Sequence, residues 1–289
     1  MPNLKDLKNR IESVKSTRKI TKAMQMVAAA KLRRAQDSAE SARPFAERMD
    51  NVINNLAGGM KITEDSPKLL TGREITKTYM LIVATSERGL CGGFNSSIVK
   101  MVRNKIAGLL DSGNVVKIYT IGKKGREQLA REFGSYFVNH FDLSEVKNLS
   151  YDVALKIAKG VLSDFKNEEF DSAILFFSQF QSVLVQNPTE LRLIPASFES
   201  EEVFENSYEY EPEKDDILEE LLPKAITTQI FSALLENAAS EQGARMSAMD
   251  NATRNAGDMI DKLTIKYNRS RQAAITNELI EIISGAEAL

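Results

Sequence analysis

Residue types that often carry chemistry are scarce in this chain of 289 residues. It has one cysteine, Cys91, one histidine, His140, and no tryptophan. A single cysteine excludes an internal disulfide framework and favours a reducing compartment. No Asp, Glu or His residues are clustered with the spacing of metal ligands. We therefore expect no metal site, and these residues give little support for a catalytic residue or a cofactor.

Long apolar runs are also missing. No stretch approaches the roughly 18 apolar residues needed to cross a bilayer, and the N-terminus lacks the apolar core of a secretory signal. We expect no direct membrane insertion. The fractions of apolar residues, 43%, and of charged residues, 27%, are those of an ordinary folded protein.

A seven-residue apolar repeat is present near both ends of the chain. Such a repeat is typical of a coiled-coil seam, and distant segments with matching stripes are expected to pair. In the first stripe, Arg18, Thr21 and Gln25 interrupt the apolar positions Leu4, Leu7, Ile11, Val14, Ala28, Leu32, Ala35, Ala39, Ala42, Ala46, Met49, Ile53 and Leu56. The second stripe contains Leu221, Ala225, Thr228, Leu235, Ala239, Met246, Met249, Thr253, Ala256, Ile260, Leu263 and Tyr267.

Both helices are predicted to be very long. At about 1.5 Å per residue, a helix over residues 4–56 is roughly 80 Å long and one over 223–284 roughly 90 Å. A compact domain has no room for them. We therefore predict an antiparallel rod, because the intervening segment returns the chain to its starting end.

Strand and helix patterns alternate between the two long helices. We predict strands at 78–85, 115–121, 136–141, 172–180 and 184–195, with helices at 95–110, where Asn95 would be the cap, 123–133 and 151–165. Short links between such elements favour a mostly parallel sheet in a Rossmann-like layer. The predicted fold class is α/β, with a coiled-coil helix at 1–57, a Rossmann-like foot domain at 73–212 and a second coiled-coil helix at 213–289.

Charge is distributed unevenly. Ten cationic and two acidic side chains lie between residues 5 and 34, a net charge of +8, whereas residues 199–220 carry eleven acidic side chains and one lysine. A basic helix is compatible with nucleic-acid binding. The cations lie all round the helix without interleaved aromatics, so an anionic protein surface is the better interpretation.

The glycines at 89, 92 and 93, directly after the first predicted strand, leave a nucleotide-dependent enzyme as an alternative. The segment fits neither the dinucleotide fingerprint nor the phosphate-loop motif, which favours a tight structural turn. Cys91 would need a basic partner to act as a nucleophile, so a structural thiol is the simpler interpretation. For His140 we likewise favour a structural role.

Four long segments resemble the gamma subunit of the F-type ATP synthase. They are KSTRKITKAMQMVAAAKL at 15–32, RGLCGGFN at 88–95, SEQGARMSAM at 240–249 and RQAAITNELIEIISGA at 271–286. The resemblance spans the whole chain. It implies a rotor shaft inside a hexamer of alpha and beta subunits, with a foot beside the epsilon subunit and the membrane-embedded c-ring. Catalysis would belong to the beta subunits, and no nucleic acid is expected.

The resemblance also implies contact residues. Positions matching the shaft near the hexamer are Met24, Arg245, Arg271, Gln272, Thr276 and Glu278. Positions matching the foot contacts to the ring or epsilon are Tyr208, Tyr210 and Glu211. The chain has no inserted cysteine pair like that of chloroplast relatives and no Arg-rich presequence, so we expect a peripheral subunit on the cytoplasmic face of a bacterial membrane.

The C-terminal tip is predicted to be an apolar bearing. The second helix is longer than the first, so its last turns should stand alone. Apolar residues there spread over more than one face, which is unusual for a helix in water. The predicted bearing consists of Ile275, Leu279, Ile282 and Ile283, seated in a hydrophobic sleeve of the hexamer. The alternative is that these residues fold back on the first helix.

Overall fold

The computed structural model describes residues 4–58, 67–73, 75–146, 148–196 and 214–287. The helices are α1 (Leu4–Gly58), α2 (Lys68–Thr71), α3 (Phe94–Asp111), α4 (Lys123–Phe133), α5 (Tyr151–Lys166) and α6 (Lys214–Glu287). The strands are β1 (Thr78–Ala84), β2 (Val115–Ile121), β3 (Phe137–Phe141), β4 (Ser172–Phe180) and β5 (Gln186–Ile194). No helix within these ranges is apolar over a length that would cross a bilayer.

The chain divides into two compact units. We call residues 30–244 the sheet unit. Residues up to Ala29 together with those from Arg245 onward form the helical unit. Helices α1 and α6 therefore each contribute one part to each unit.

The sheet unit is built on five strands in the order β3-β2-β1-β4-β5. All neighbours are parallel except the edge pair β4 and β5, which is antiparallel. Alternate side chains of β1 enter opposite cores, as the pleat of a strand requires. Leu81 and Val83 pack under α3 and α4, whereas Met80 and Ile82 pack under α5 and α6. The predicted α/β architecture, with a mostly parallel sheet between helices, is confirmed.

Helix α6 begins at Lys214, nine residues before the Pro223 from which its length was predicted. Proline lacks an N–H and cannot complete the helical hydrogen bond to the carbonyl four residues earlier. The turn before Pro223 is stabilised by packing instead, because Leu218 and Leu222 are buried against Ile53 and Leu56 of α1. Tertiary contacts thus override a local helix-breaking signal.

The prediction that Asn95 caps α3 is wrong. Gly93 occupies the cap position, and Asn95 lies in the first turn of the helix. Its side-chain oxygen accepts a hydrogen bond from the Ser86 backbone N–H at 3.0 Å. Asn95 therefore ties the start of α3 to the end of β1.

Helices α1 and α6 pair in an antiparallel manner within each unit. In the helical unit, Thr253 donates to the Thr21 hydroxyl and Gln25 donates to Asp250. In the sheet unit, Arg43 forms an ion pair with Glu236 at 3.2 Å. Every apolar residue of the two predicted stripes is buried or half-buried. The predicted antiparallel seam is confirmed.

Candidate protein-interaction surfaces

The turn after β1 is closed by its own polar side chains. Cys91 is 2% exposed. Its sulfur accepts a hydrogen bond from the Asn95 amide at 3.3 Å and lies 3.7 Å from the Ser86 hydroxyl. Neither neighbour is a base that would generate a thiolate. The contacts of Cys91 are those of a structural thiol.

Glu87 places a negative charge at this end of the sheet. One of its carboxylate oxygens accepts hydrogen bonds from the backbone N–H groups of Lys123, where α4 begins, and Leu143. A helix N-terminus at the end of a parallel strand is where α/β folds often bind phosphate. Here the chain's own carboxylate takes that place, which supports the structural interpretation of the turn.

His140 lies on β3 at the edge of the sheet, and its Nδ1 is 2.9 Å from the Thr120 hydroxyl. Among the described residues, no group of three Cys, His, Asp or Glu side chains could hold a metal ion. The hydrogen-bond partners named for Cys91, Glu87 and His140 all lie within the sheet unit.

A polar layer lies inside the helical pair. The hydrogen bond between the hydroxyls of Thr21 and Thr253 is 2.8 Å long, and Gln25 reaches Asp250 at 2.9 Å. Asp250 also forms an ion pair with Arg254 on the next turn. Polar groups at seam positions favour one register, because any shift would leave them without partners. Two of the three polar interruptions in the first stripe thus have partners across the pair.

The outer surface of the pair is basic. Seven cationic side chains on the α1 part of the helical unit are exposed, namely Lys5, Lys8, Arg10, Lys15, Arg18, Lys19 and Lys22. We call this set the basic surface. Of these, Lys15 forms an ion pair with Glu12 one turn earlier. Such a surface attracts an acidic partner and repels a basic one, with a strength that falls as salt rises.

The six predicted hexamer-contact residues all lie in the helical unit. Met24 and Arg245 are half-buried, whereas Arg271, Gln272, Thr276 and Glu278 are exposed on successive turns of α6. The Thr276 hydroxyl donates to the Gln272 carbonyl at 3.0 Å. The structure thus groups four of the predicted residues near one end of α6 and places Met24 and Arg245 elsewhere along the pair.

The tip residues are exposed. The register set by Thr21 with Thr253 and Gln25 with Asp250 brings Leu4, the first residue of α1, level with a position near residue 271. Residues 275–284 lie beyond that level, and all of them are exposed. The exposed apolar side chains are Ile275, Leu279, Ile280, Ile282 and Ile283, with Leu279 at 54% and Ile282 at 68%.

Further apolar residues are exposed along the pair, and our sequence reasoning missed them. Ile20, Met26 and Val27 are exposed on α1, as are Met259 and Ile265 on α6. Exposed apolar side chains in numbers mark an interaction surface. The signal was present in the sequence, because these residues interrupt the polar faces that flank the two predicted stripes.

The predicted foot contacts Tyr208, Tyr210 and Glu211 lie outside the described residues, as does most of the acidic stretch at 199–220. They remain predictions.

Sequence comparison with known proteins shows the family to which this chain belongs. The ATP synthase family model matches residues 3–289. Proteins named ATP synthase gamma chain are 64% identical in Cereibacter sphaeroides and 63% identical in Dinoroseobacter shibae, over all of this chain and all of each relative.

Solved structures are similar too. One is the central stalk and c-ring of the Tetrahymena thermophila mitochondrial ATP synthase, with a TM-score of 0.60 and 26% identity, covering 81% of this chain and 99% of that one. A chain of the Euglena gracilis mitochondrial ATP synthase has a TM-score of 0.69 at 19% identity, and the match covers 99% of this chain and 94% of that one. This second similarity supports the fold.

Proposed function

Because this chain belongs to the family of ATP synthase gamma chains, we propose that it is the central rotor shaft of an F-type ATP synthase. In this role it couples ion-driven rotation of the c-ring to conformational change in the catalytic hexamer of alpha and beta subunits. The same coupling run backwards lets ATP hydrolysis drive ion pumping.

The observation that carries this proposal is the helical unit itself. Its two antiparallel helices bury a continuous seam, yet they leave apolar side chains exposed on both helices and over the last turns of α6. A helical pair that served only to hold the chain together would be polar on its outer faces. The exposed apolar residues therefore favour a shaft that is enclosed by other subunits.

The shaft can act only through contacts that differ between its faces. A subunit changes conformation when a partner binds one of its states better than another. The helical unit presents the basic surface on α1 together with exposed apolar residues on both helices. Each rotational position would therefore favour a different set of conformations in the three catalytic subunits.

We propose that two sets of residues make these contacts. Met24, Arg245, Arg271, Gln272, Thr276 and Glu278 would contact the alpha and beta subunits, with the basic surface facing acidic groups there. Ile275, Leu279, Ile282 and Ile283 would turn in a hydrophobic sleeve at the far end of the hexamer. In support, these four side chains are exposed on a part of α6 that lies past the start of α1.

Tyr208, Tyr210 and Glu211 would contact the epsilon subunit or the c-ring. The chain would carry rotation and no catalytic step, since the beta subunits would hold the catalytic sites. We place it as a peripheral subunit on the cytoplasmic face of a bacterial membrane, without insertion into the bilayer and without a nucleic-acid partner.

Purification of the tagged chain from its own cells tests the proposal. Alpha, beta and epsilon subunits should copurify from the soluble fraction, and the c-ring should join them after detergent extraction of membranes. Replacing Tyr208, Tyr210 and Glu211 by alanine should weaken attachment to epsilon or the ring, while the hexamer complex still hydrolyses ATP. Recovery of nucleic acid in place of these subunits, with binding that weakens steeply as salt rises, would favour the basic scaffold instead.

A further inference from the structure

Strand β4 extends past the end of its neighbour β1. The last pair in the ladder between them joins Val83 and Phe176, whereas β4 continues to Phe180. The backbone groups of β4 beyond Phe176 that face away from β5 therefore need partners from outside the sheet.

Helix α6 supplies those partners with side chains. Asn237 accepts a hydrogen bond from the Ser178 N–H at 3.0 Å, and the Ser240 hydroxyl donates to the Ser178 carbonyl at 2.9 Å. Glu236 accepts from the Phe180 N–H at 3.0 Å. Asn237 and Ser240 are buried, and positions 236, 237 and 240 lie on one side of the helix. Three side chains of a helix thus continue the ladder where the neighbouring strand ends.

Glu236 joins a third element. Its second carboxylate oxygen forms the ion pair with Arg43 of α1, so one side chain links α1, α6 and β4. Two turns further along α6 than Glu236, Gly243 leaves room for the Phe180 ring, because a methyl group there would lie 3.2 Å from it. The end of β4 is therefore fitted closely against α6 by both hydrogen bonds and shape.

We propose that Glu236, Asn237 and Ser240 form a clasp that holds α6 in a fixed position on β4 and transmits torque between the sheet and α6. The inference rests on the proposed function. Apolar contacts such as those of Ile230 and Leu234 resist separation of helix and sheet, but they are non-directional and resist sliding weakly. Hydrogen bonds depend on distance and angle, so they oppose both sliding and rotation of the helix.

The test uses the enzyme assembled with its own partner subunits. The double variant Asn237→Ala/Ser240→Ala removes both bonds to Ser178, and Glu236→Ala removes the bond to Phe180. Hydrogen–deuterium exchange should accelerate about tenfold in the peptide that contains Ser178 and Phe180, the factor that corresponds to ~1.4 kcal/mol. Ion pumping per ATP hydrolysed should fall in membranes, while hydrolysis by the detached hexamer complex stays at the parental rate.

Matched variants separate the clasp from the ion pair. Glu236→Gln keeps an acceptor for the Phe180 N–H but loses the charge that pairs with Arg43. Arg43→Ala removes the same ion pair from the other side. Both variants keep the clasp, so enzymes that contain them should pump ions like the parent. Glu220→Ala removes another glutamate of α6, whose partner is Lys224 one turn away, and serves as the control.

Two results would overturn the clasp. One is parental exchange in the double variant, and the other is accelerated exchange with parental pumping per ATP. If the double variant does not assemble, the single variant Asn237→Ala, which keeps the Ser240 bond, is compared with the parent by the same two measurements. Failure of the proposed function is distinguishable, because it would appear in the parent as the absence of copurifying subunits.

Discussion

Asp50 on α1 accepts a hydrogen bond from the side chain of Gln229 on α6. The amide oxygen of Gln229 is buried and has no hydrogen-bond partner among the residues that the structure describes. Burial raises the pKa of the Asp50 carboxyl, and the hydrogen bond from Gln229 offsets part of that rise. The pair thus contains a carboxylate that is poorly solvated and an acceptor that lacks a donor.

Asp50→Asn should stabilise the chain at neutral pH by about 1 kcal/mol, because an asparagine amide supplies the donor that Gln229 lacks and removes a half-buried charge. A carboxyl whose pKa is raised in the folded state contributes stability that is present below its unfolded pKa and lost as pH rises through the folded value. The gain from Asp50→Asn should therefore shrink towards pH 3.8, the ordinary value for this carboxyl.

Urea unfolding of parent and variant across this pH range measures the effect. Asp37→Asn, an exposed position on the same helix, is the control and should change little at any pH. A variant less stable than the parent at neutral pH would show that the carboxylate is better satisfied than its contacts indicate.

Two helical glycines should respond to alanine in opposite directions. A methyl group at Gly160 of α5 would meet no atom within 4 Å, so Gly160→Ala should stabilise by ~0.5–1 kcal/mol through reduced backbone entropy of the unfolded chain. A methyl group at Gly125 of α4 would lie 2.6 Å from the Thr85 side chain. Gly125→Ala should destabilise by about 1–3 kcal/mol, because the buried Thr85 must move. Thermal unfolding of both variants tests this prediction. A change of the melting temperature in the same direction in both variants would contradict it.

Cys91 should be inert towards thiol reagents in the folded chain. Its side chain is buried beside the amide of Asn95 and the hydroxyl of Ser86, and neither of these groups is a base. We expect slow labelling by a thiol-specific reagent in the native protein and complete labelling after unfolding in urea. Cys91→Ser should also leave the ATPase rate of the assembled enzyme unchanged under oxidising and reducing conditions. A redox-dependent rate that disappears in this variant would contradict the structural role.

The features that the sequence predicted well are those encoded by local spacing. The coiled-coil seam was predictable because apolar residues recur at every third or fourth position over many turns. Buried parallel strands such as β1 and β4 were predictable because they read as short, continuous apolar runs. Both signals depend on the chain alone and need no knowledge of neighbouring elements.

The features that it did not predict depend on contacts between distant residues. Pro223 is a local helix-breaking signal, and burial of Leu218 and Leu222 against α1 explains why the helix continues through it. Polar residues such as Glu236 and Asn237 look like part of a solvent-facing surface of α6. Their hydrogen bonds to β4 depend on the fact that β1 ends before β4, which no local pattern in the sequence indicates.

The tip of α6 offers the sharpest test of the proposed shaft, because its exposed apolar side chains should behave differently in the free chain and in the complex. In the free chain Ile282 is 68% exposed, so Ile282→Asp should leave the free energy of unfolding nearly unchanged. In a hydrophobic sleeve the same change would bury an unpaired charge and cost several kcal/mol. We therefore expect Ile282→Asp to impair assembly or coupling without destabilising the free chain.

Alanine variants supply the matched comparison. Leu279→Ala and Ile282→Ala reduce apolar contact without adding charge. A bearing needs apolar contact but no specific fit between side chains. Both variants should therefore assemble, with small losses of complex yield and ion pumping. Complex yield and ATP-driven ion pumping of the three variants should be measured beside urea unfolding of the free chain. If Ile282→Asp assembles and pumps like the parent, the tip is in water and the bearing does not exist. If it instead destabilises the free chain, the tip packs on this chain itself, as in the alternative in which these residues fold back on α1.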